Sequence, residues 1–238
     1  MQRGNNRHAT FFAPADYRFY QECLYQAAQK YGCLIHAYVL MTNHVHLLAT
    51  PSSPQAISRV MQHLGRCYVR YVNGKYGRTG TLWDGRFRAS LVDTDRYLFT
   101  CCRYIELNPV RARIVERPDD YLWSSYRCNA RGIADRLVSP HDRYKSLGTT
   151  DAARWQAYRA LFREALDENE LQQIRLMTRE GWPLGSEPFK DEIGELLNRI
   201  ARPPKRGRPA GSGDADKKRR TESYSDPVTR AKCYSDPV

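Results

Sequence analysis

The sequence predicts an α+β fold with a largely antiparallel sheet. Helical and extended patterns are mixed along residues 1–130, without the regular alternation that builds a parallel sheet. Two extended segments are separated only by the turn residues Thr42-Asn43. The chain has 238 residues, which corresponds to one or two domains and can bury a core without disulfides or a structural metal.

A helix and a strand pair are the first predicted elements. Apolar residues recur at helical spacing over residues 16–31, and Gly32 is a typical residue to end that helix. Residues 33–41 are apolar and predict a strand. After the turn, residues 44–49 predict a second strand that pairs with the first.

Three more elements follow in the first half of the chain. Helical spacing returns over residues 55–71, and Asn73-Gly74 predicts a loop. Residues 82–92 have an extended pattern. Asp93 or Thr94 predicts the start of a helix, which runs to Asn108 just before a proline.

Composition divides the chain into three predicted domains. Residues 1–130 form the mixed α+β part, residues 140–201 form a helical C-terminal extension, and residues 202–238 form a basic disordered tail. Between residues 202 and 220 the tail has eight Lys or Arg and two Asp, which is half of the net charge of +12. Residues 205–209 resemble the core of a minor-groove AT-hook, but the pattern is short and a solvated basic tail is the favoured explanation. The positive charge favours a polyanionic partner, most often nucleic acid.

Two classes of protein are excluded by simple patterns. No apolar run approaches the ~18–20 residues of a membrane-spanning helix, and the N-terminus has no apolar signal-peptide core. The seven Cys include no CxxC pair, which excludes zinc-finger spacing. We therefore expect reduced thiols and a cytoplasmic protein without membrane contact.

His44-Val45-His46 is the first candidate for chemistry. Alternate residues of a strand face the same side, so the two imidazoles can converge on one metal ion. The same pattern also fits two histidines that are exposed or satisfied within a core.

Tyr104 and Asn108 are the second candidate. They are four residues apart on the predicted helix and share a face. Asn108 offers an oxygen ligand, and two imidazoles with one oxygen suit Mg²⁺ or Mn²⁺ better than a closed zinc site. A phenol beside a metal-bound phosphate can attack phosphorus. The alternative is a core tyrosine and an asparagine that only ends the helix.

Residues 78–88 are the third candidate, because arginines and aromatic residues alternate there. Arg78, Arg86 and Arg88 can hold phosphates while Trp83 or Phe87 stacks on a base, as in proteins that bind single strands. The alternative is a strand with its aromatic residues in the core.

Several motifs resemble a known family. Residues 37–48 (AYVLMTNHVHLL) look like the HUH segment of the single-tyrosine transposases. Residues 80–87 (GTLWDGRF), 103–112 (RYIELNPVRA) and 123–126 (WSSY) are similar to the branch called REP-associated tyrosine transposases. The resemblance implies a ferredoxin-like HUH endonuclease domain, His44 and His46 as paired metal ligands, Tyr104 as the nucleophile and Asn108 as the third ligand.

The resemblance also implies cleavage and rejoining of single-stranded hairpin DNA, such as repeated extragenic palindromes, through a 5′-phosphotyrosine. Mg²⁺ or Mn²⁺ would be the cofactor, without a small-molecule cofactor, and the protein would be associated with the bacterial nucleoid. The sequence leaves both a monomer and a homodimer open, and the resemblance favours the monomer. Alternatives are a catalytically impaired, domesticated hairpin-binding protein and a nuclease that uses water. The family's longer N-terminal segment leads us to expect a shortened first strand. The candidate DNA-contacting residues are Arg3, Arg7, Arg78, Trp83, Arg86, Arg88, Arg103, Lys205, Arg206 and Arg208.

Overall fold

A three-stranded antiparallel sheet is the centre of the fold. The computed structural model describes residues 1–198 and residue 201, so the predicted tail with Lys205, Arg206 and Arg208 lies outside the described residues. Strands β1 (Gln2–Arg3), β2 (Cys33–Met41) and β3 (His44–Pro51) are arranged in the order β1-β3-β2. The predicted α+β class and its antiparallel sheet are confirmed, and strand β1 has two residues.

Helices cover both faces of this sheet. Among the described residues they are α1 (Pro14–Tyr31), α2 (Ala56–Tyr76), α3 (Thr94–Glu106), α4 (Asn108–Arg111), α5 (Tyr126–Arg131), α6 (Asp142–Lys145), α7 (Asp151–Ala160), α8 (Glu168–Glu180) and α9 (Glu187–Leu196). Helices α6 to α9 thus make up much of the described chain between residues 142 and 196. None of the helices in the described part of the chain is long and apolar enough to cross a membrane.

An irregularity in β2 decides which residues face which helices. The register between β2 and β3 shifts between Ile35 and Ala37, which leaves His36 as the extra residue. Ile35 and Tyr38 consequently pack on the same side, toward α1 and α2. Ala37 and Val39 pack on the other side, toward α3 and the C-terminal helices.

The last turns of α2 correct the prediction of a loop at Asn73-Gly74. The helix continues to Tyr76 and ends at Gly77, whose φ of 59° is left-handed. Lys75 donates to Asp16 Oδ1 at 2.6 Å, and the Tyr76 hydroxyl donates to Asp16 Oδ2 at 2.8 Å. These bonds tie the end of α2 to the first turn of α1, and tertiary contacts thus outweigh the local turn preference.

The C-terminal helices share a core with the sheet. Tyr158 of α7 and Ile174 of α8 are buried in the same cluster as Ala37, Val39 and Tyr104. The extension therefore packs on the sheet face that carries α3.

A buried carboxyl group joins α3 to these later helices. Glu106 Oε1 accepts from Ser125 Oγ at 2.5 Å and from Asn129 Nδ2 at 3.0 Å, and Oε2 accepts from the Tyr158 hydroxyl at 2.8 Å. Burial raises the pKa of Glu106 to about 7, although the three hydrogen bonds oppose the increase. This network fixes the end of α3 two residues before Asn108.

Residues 82–92, which have an extended pattern in the sequence, do not form a regular strand. Within the described chain, sheet pairing in this segment is limited to isolated bridges, from Trp83 to Gly4 and from Val92 to Leu184. Trp83 lies in the core beside Tyr20 and Tyr68, and this anchor holds the segment as an irregular connection across the end of the sheet.

Candidate active site

Strand β3 presents His44 and His46 on one face, as predicted. Their ring centroids are 5.3 Å apart with planes at 84°. The residues opposite them on β2 are Met41 and Val39, which face α3. Val45 points to the opposite face and packs with α1 and α2. The alternation of the strand thus aims both imidazoles at the Tyr104 helix.

Both imidazoles are held neutral. Burial lowers the pKa of His44 to about 4, with the charge of Arg3 adding to the decrease. Burial also lowers the pKa of His46 well below its usual value, and neighbouring positive charges act in the same direction. Nδ1 of His44 is 2.7 Å from the side-chain oxygen of Asn43, which orients that ring.

Helices α3 and α4 bring Tyr104 and Asn108 to the histidines. The Tyr104 ring lies 5.5 Å from the His46 ring, with planes at 81°. Leu107 lies between α3 and α4 with φ −85° and ψ 0°, in the right-handed region of backbone angles. Asn108 therefore lies about one helical turn beyond Tyr104. Asn108 begins the short α4 and does not end α3, which corrects the predicted boundary. Its side chain interacts with His44.

These residues fit a hard divalent cation. Two neutral imidazoles and an amide oxygen form a mixed N/O donor set. Among the described residues no three His, Cys, Asp or Glu are grouped as metal ligands. The side-chain oxygen of Asn108 is available beside the histidine pair, and a set of three protein donors would leave positions for water or a phosphate oxygen.

Arg111 packs directly on Tyr104. Its guanidinium carbon lies 4.5 Å from the centre of the Tyr104 ring, and Nη2 donates to the Tyr104 backbone oxygen at 2.6 Å. Tyr104 is 9% exposed, so its ring is largely covered. A cation over the ring face is attracted by the electron-rich π system and restricts the ring to one orientation.

The four candidate residues open onto one basic cleft of about 640 Å³. Its arginines come from β1, from residues 82–92, from α4 and from α8. One acidic side chain, Asp84, lines the same space. The basic lining residues are Arg3, Arg86, Arg88, Arg111, Arg175 and Arg179.

The predicted DNA-contacting residues are only partly brought together. Arg3, Arg86 and Arg88 line the cleft. Arg103 instead donates through Nη2 to the Glu164 backbone oxygen at 2.5 Å. Arg78 and Arg7 also lie outside the cleft lining: the Arg78 guanidinium is 5.6 Å from the Phe12 ring, and the Arg7 backbone oxygen accepts from Asn43.

Trp83 requires a correction. It is 5% exposed and packs in the core with Tyr20 and Tyr68, so it offers no free face for a base. The sequence-based alternative, an aromatic residue of the core, is the correct one for Trp83. Phe87 is only partly buried and packs against the edge of this core.

Sequence reasoning missed the arginines of α4 and α8. Arg111 is seven residues after Tyr104, which places it on the same helical face. On α8, Gln172, Arg175 and Arg179 recur at helical spacing and all line the cleft. A polar stripe opposite the apolar stripe of a helix was the signal that could have found them.

Comparisons with known proteins place the site within one family model. Residues 1–108 match the family described as transposase, IS200 like. A solved structure of a REP-associated tyrosine transposase bound to a REP hairpin is 17% identical, covers 59% of this chain and 82% of that chain, and has a TM-score of 0.42. None of the curated proteins compared with the chain matches it. His44, His46, Tyr104 and Asn108 all fall within the range that matches this family model.

Proposed function

We propose that the protein cleaves and rejoins single-stranded DNA, with Tyr104 as the nucleophile and a divalent metal as cofactor. The observation that carries this proposal is the convergence of the histidine pair, Tyr104 and Asn108 on one arginine-lined cleft. The match of residues 1–108 to IS200-like transposases supports the same reaction class.

His44, His46 and Asn108 are the residues that would hold Mg²⁺ or Mn²⁺. When bound, the ion supplies positive charge that stabilises the phosphoryl oxygens as negative charge accumulates on them. The neutral imidazoles contribute lone pairs, because their low pKa values keep them unprotonated at pH 7. One chain carries all of these groups together with Tyr104, which supports a monomer as the acting unit.

The chain's own residues account for the covalent step. The Tyr104 phenol releases its proton to solvent, and its oxygen bonds to the scissile phosphorus. The bond from phosphorus to the 3′ oxygen breaks, and this oxygen leaves with the electron pair and takes a proton from solvent. The 5′ phosphate stays on Tyr104. Because the new ester retains the energy of the bond, a 3′-OH can reverse the step and join strands without ATP.

The proposed substrate is a single strand adjoining a DNA hairpin. The open cleft gives an extended polyanion access to Tyr104, and its arginines favour phosphates. The hairpin form of the substrate follows from the motifs that resemble REP-associated tyrosine transposases. We place the reaction in the cytoplasm, at the nucleoid, where such DNA is found.

A denaturing gel tests the proposal. The full chain is incubated with 5′- and 3′-labelled hairpin DNA and Mn²⁺, and the expected product is a DNA band shifted by the mass of the protein. Tyr104→Phe should abolish this band and retain hairpin binding. Tyr97→Phe removes a hydroxyl from the same helix and should leave the band unchanged.

Three results would contradict the proposal in different ways. A shifted band with Tyr104→Phe would assign the nucleophile to another residue. Cleavage without a shifted band would indicate a nuclease that uses water. Hairpin binding without cleavage would favour the alternative, a catalytically impaired binding protein.

A further inference from the structure

We propose that Arg111 and Arg175 together bind a backbone phosphate of the DNA next to the phosphate that Tyr104 attacks. Helix α8 would then be one wall of the path of the strand, in addition to packing on the sheet. The identity of the ligand as a DNA strand rests on the proposed function, whereas the anion site rests on the geometry of the two arginines.

Arg111 has an unused donor. Its Nη2 is occupied by the Tyr104 backbone oxygen, but its Nη1 is buried without an acceptor among the described residues. A buried guanidinium nitrogen without a partner is unfavourable, and most such groups in folded proteins are hydrogen-bonded. An anion in the adjoining cleft would supply the missing acceptor.

Arg175 approaches the same place from another element. It projects from α8 into the cleft that Arg111 and Tyr104 line. Burial lowers the pKa of Arg111, and the charge of Arg175 also contributes to this decrease, as expected for like charges close together. A phosphate between two guanidinium groups would replace this repulsion with attraction and with charge-assisted hydrogen bonds.

The charge of Arg175 is only weakly compensated. Its nearest carboxylate oxygen, on Glu168, is 3.4 Å away, and both side chains are more than half exposed. Such an exposed pair contributes little and is readily exchanged for another anion. Arg179 differs, because it pairs with the adjacent Glu180 at 2.7 Å.

Helix α8 is a rigid support for this role. Leu171, Ile174 and Met177 are buried and pack in the core that also contains Tyr104. The opposite stripe, which includes Arg175, faces the cleft. A site built on a packed helix holds its backbone more precisely than a loop does, so the position from which Arg175 reaches the cleft is set before DNA binds.

The size and lining of the cleft favour a chain of phosphates over a small free anion. It has a volume of about 640 Å³ and is lined by arginines from β1, from residues 82–92, from α4 and from α8. An extended strand could contact several of these arginines at once, whereas a single inorganic phosphate could occupy only one subsite.

Salt-dependent binding of a single-stranded oligonucleotide tests this site. The measurement uses the full chain with Tyr104→Phe, so that no covalent product forms. Adding Arg175→Gln should weaken binding about tenfold at low salt and reduce the slope of log K against log salt by about 0.7, the value for one phosphate of a single strand. Arg59→Gln removes the same charge from an exposed position on α2. It should change the affinity and the salt slope much less than Arg175→Gln does.

The double variant tests whether both arginines bind one phosphate. Arg111→Gln and Arg175→Gln should each remove about 0.7 from the slope, and the double variant should remove about the same amount, not twice as much. Arg175→Lys should keep the slope and lose part of the affinity. If Arg111→Gln does not fold, the Arg175 series alone still decides whether α8 contacts the strand.

Some results would overturn the inference and leave the proposed function intact. If Arg175→Gln changes neither the slope nor the affinity, α8 does not contact the DNA. The proposed function still stands in that case if the protein that keeps Tyr104 forms its adduct. Additive slope changes in the double variant would assign the arginines to separate phosphates. The reverse result, a reduced slope without any Tyr104 adduct, would support the anion site and refute the proposed chemistry.

Discussion

The ring of His46 lies edge-on to the ring of Tyr104, with centroids 5.5 Å apart and planes at 81°. This contact joins the middle strand of the sheet to the helix that covers it. It places the candidate nucleophile beside the candidate metal ligands before any substrate is present. Such an arrangement avoids a large rearrangement when the substrate binds.

Loss of His46 should remove metal binding. We expect His46→Ala to weaken Mn²⁺ binding by more than the roughly 10- to 100-fold that loss of an outer-shell partner costs. Isothermal titration of the full chain with Mn²⁺ measures this directly. His8→Ala, which removes an exposed histidine, is the control and should bind Mn²⁺ as the unchanged protein does. Equal Mn²⁺ affinity in both variants would exclude His46 as a ligand.

Asp16 should make the free energy of unfolding depend on pH in the acid range. Burial would raise its pKa, but hydrogen bonds from Lys75, from the Phe12 backbone and from Tyr76 lower the pKa to about 2. An aspartate in an unfolded chain has a pKa of about 3.9, so the folded state favours the charged form. This contribution to the free energy of unfolding is present at neutral pH and is lost as the pH falls from about 4 to 2.

Asp16→Asn tests that contribution. We expect the variant to be about 1–3 kcal/mol less stable to urea at pH 7. Between pH 5 and pH 3 its free energy of unfolding should fall by less than that of the unchanged protein. Asp151→Asn, at an exposed position in the first turn of α7, should cost less than about 0.5 kcal/mol. Parallel pH curves for Asp16→Asn and the unchanged protein would contradict the assignment.

Glu106 should stabilise the segment that carries Tyr104. Glu106→Ala removes the buried carboxylate that accepts from Ser125, Asn129 and Tyr158, and we expect a cost of about 3 kcal/mol in unfolding free energy. Glu106→Gln keeps the shape and should cost less. Denaturant unfolding of both variants checks the predicted order of their stabilities, with Glu195→Ala at an exposed position as the control. Equal stability of the alanine and glutamine variants would show that these bonds do not matter.

Gly132 should be intolerant of any side chain. It follows α5 with a φ of 69°, and an added Cβ would overlap the ring of Trp155 on α7. We expect Gly132→Ala to lower stability by about 2–4 kcal/mol and to shift the fluorescence of Trp155. Gly77 has a φ of 59° but open space around it, so Gly77→Ala should cost only about 1 kcal/mol. Equal costs at both positions would argue against close packing between α5 and α7.

Local patterns predicted the elements that position the histidines. The bounds of β2 follow from a run that is apolar apart from His36, and the facing of His44 and His46 follows from strand alternation. The extension of α2 through Gly74 was not predictable in this way, because bonds to Asp16, distant in sequence, decide it. Trp83 was also ambiguous, since an aromatic residue among arginines fits both a core and a stacking surface until burial is known.

The arginines that line the cleft illustrate a second limit of prediction from sequence. Arg111 could be related to Tyr104 by helical periodicity alone. Arg175 could not be placed beside them from sequence, because its position depends on how α8 packs against the sheet. Three-dimensional packing thus adds residues of the extension to a site whose central groups all lie within residues 1–108.

Mass spectrometry of the covalent product tests the central claim most directly. Trypsin cuts after Arg103 and Arg111, so it releases residues 104–111 (YIELNPVR), in which Tyr104 is the only tyrosine. After incubation with hairpin DNA and Mn²⁺ and digestion of the DNA, we predict this peptide with a nucleotide attached to Tyr104 through phosphate. Two results would contradict the assignment of Tyr104 as the nucleophile. In the first, this peptide is unmodified and a different tyrosine carries the nucleotide. In the second, the DNA is cleaved but no modified peptide is found.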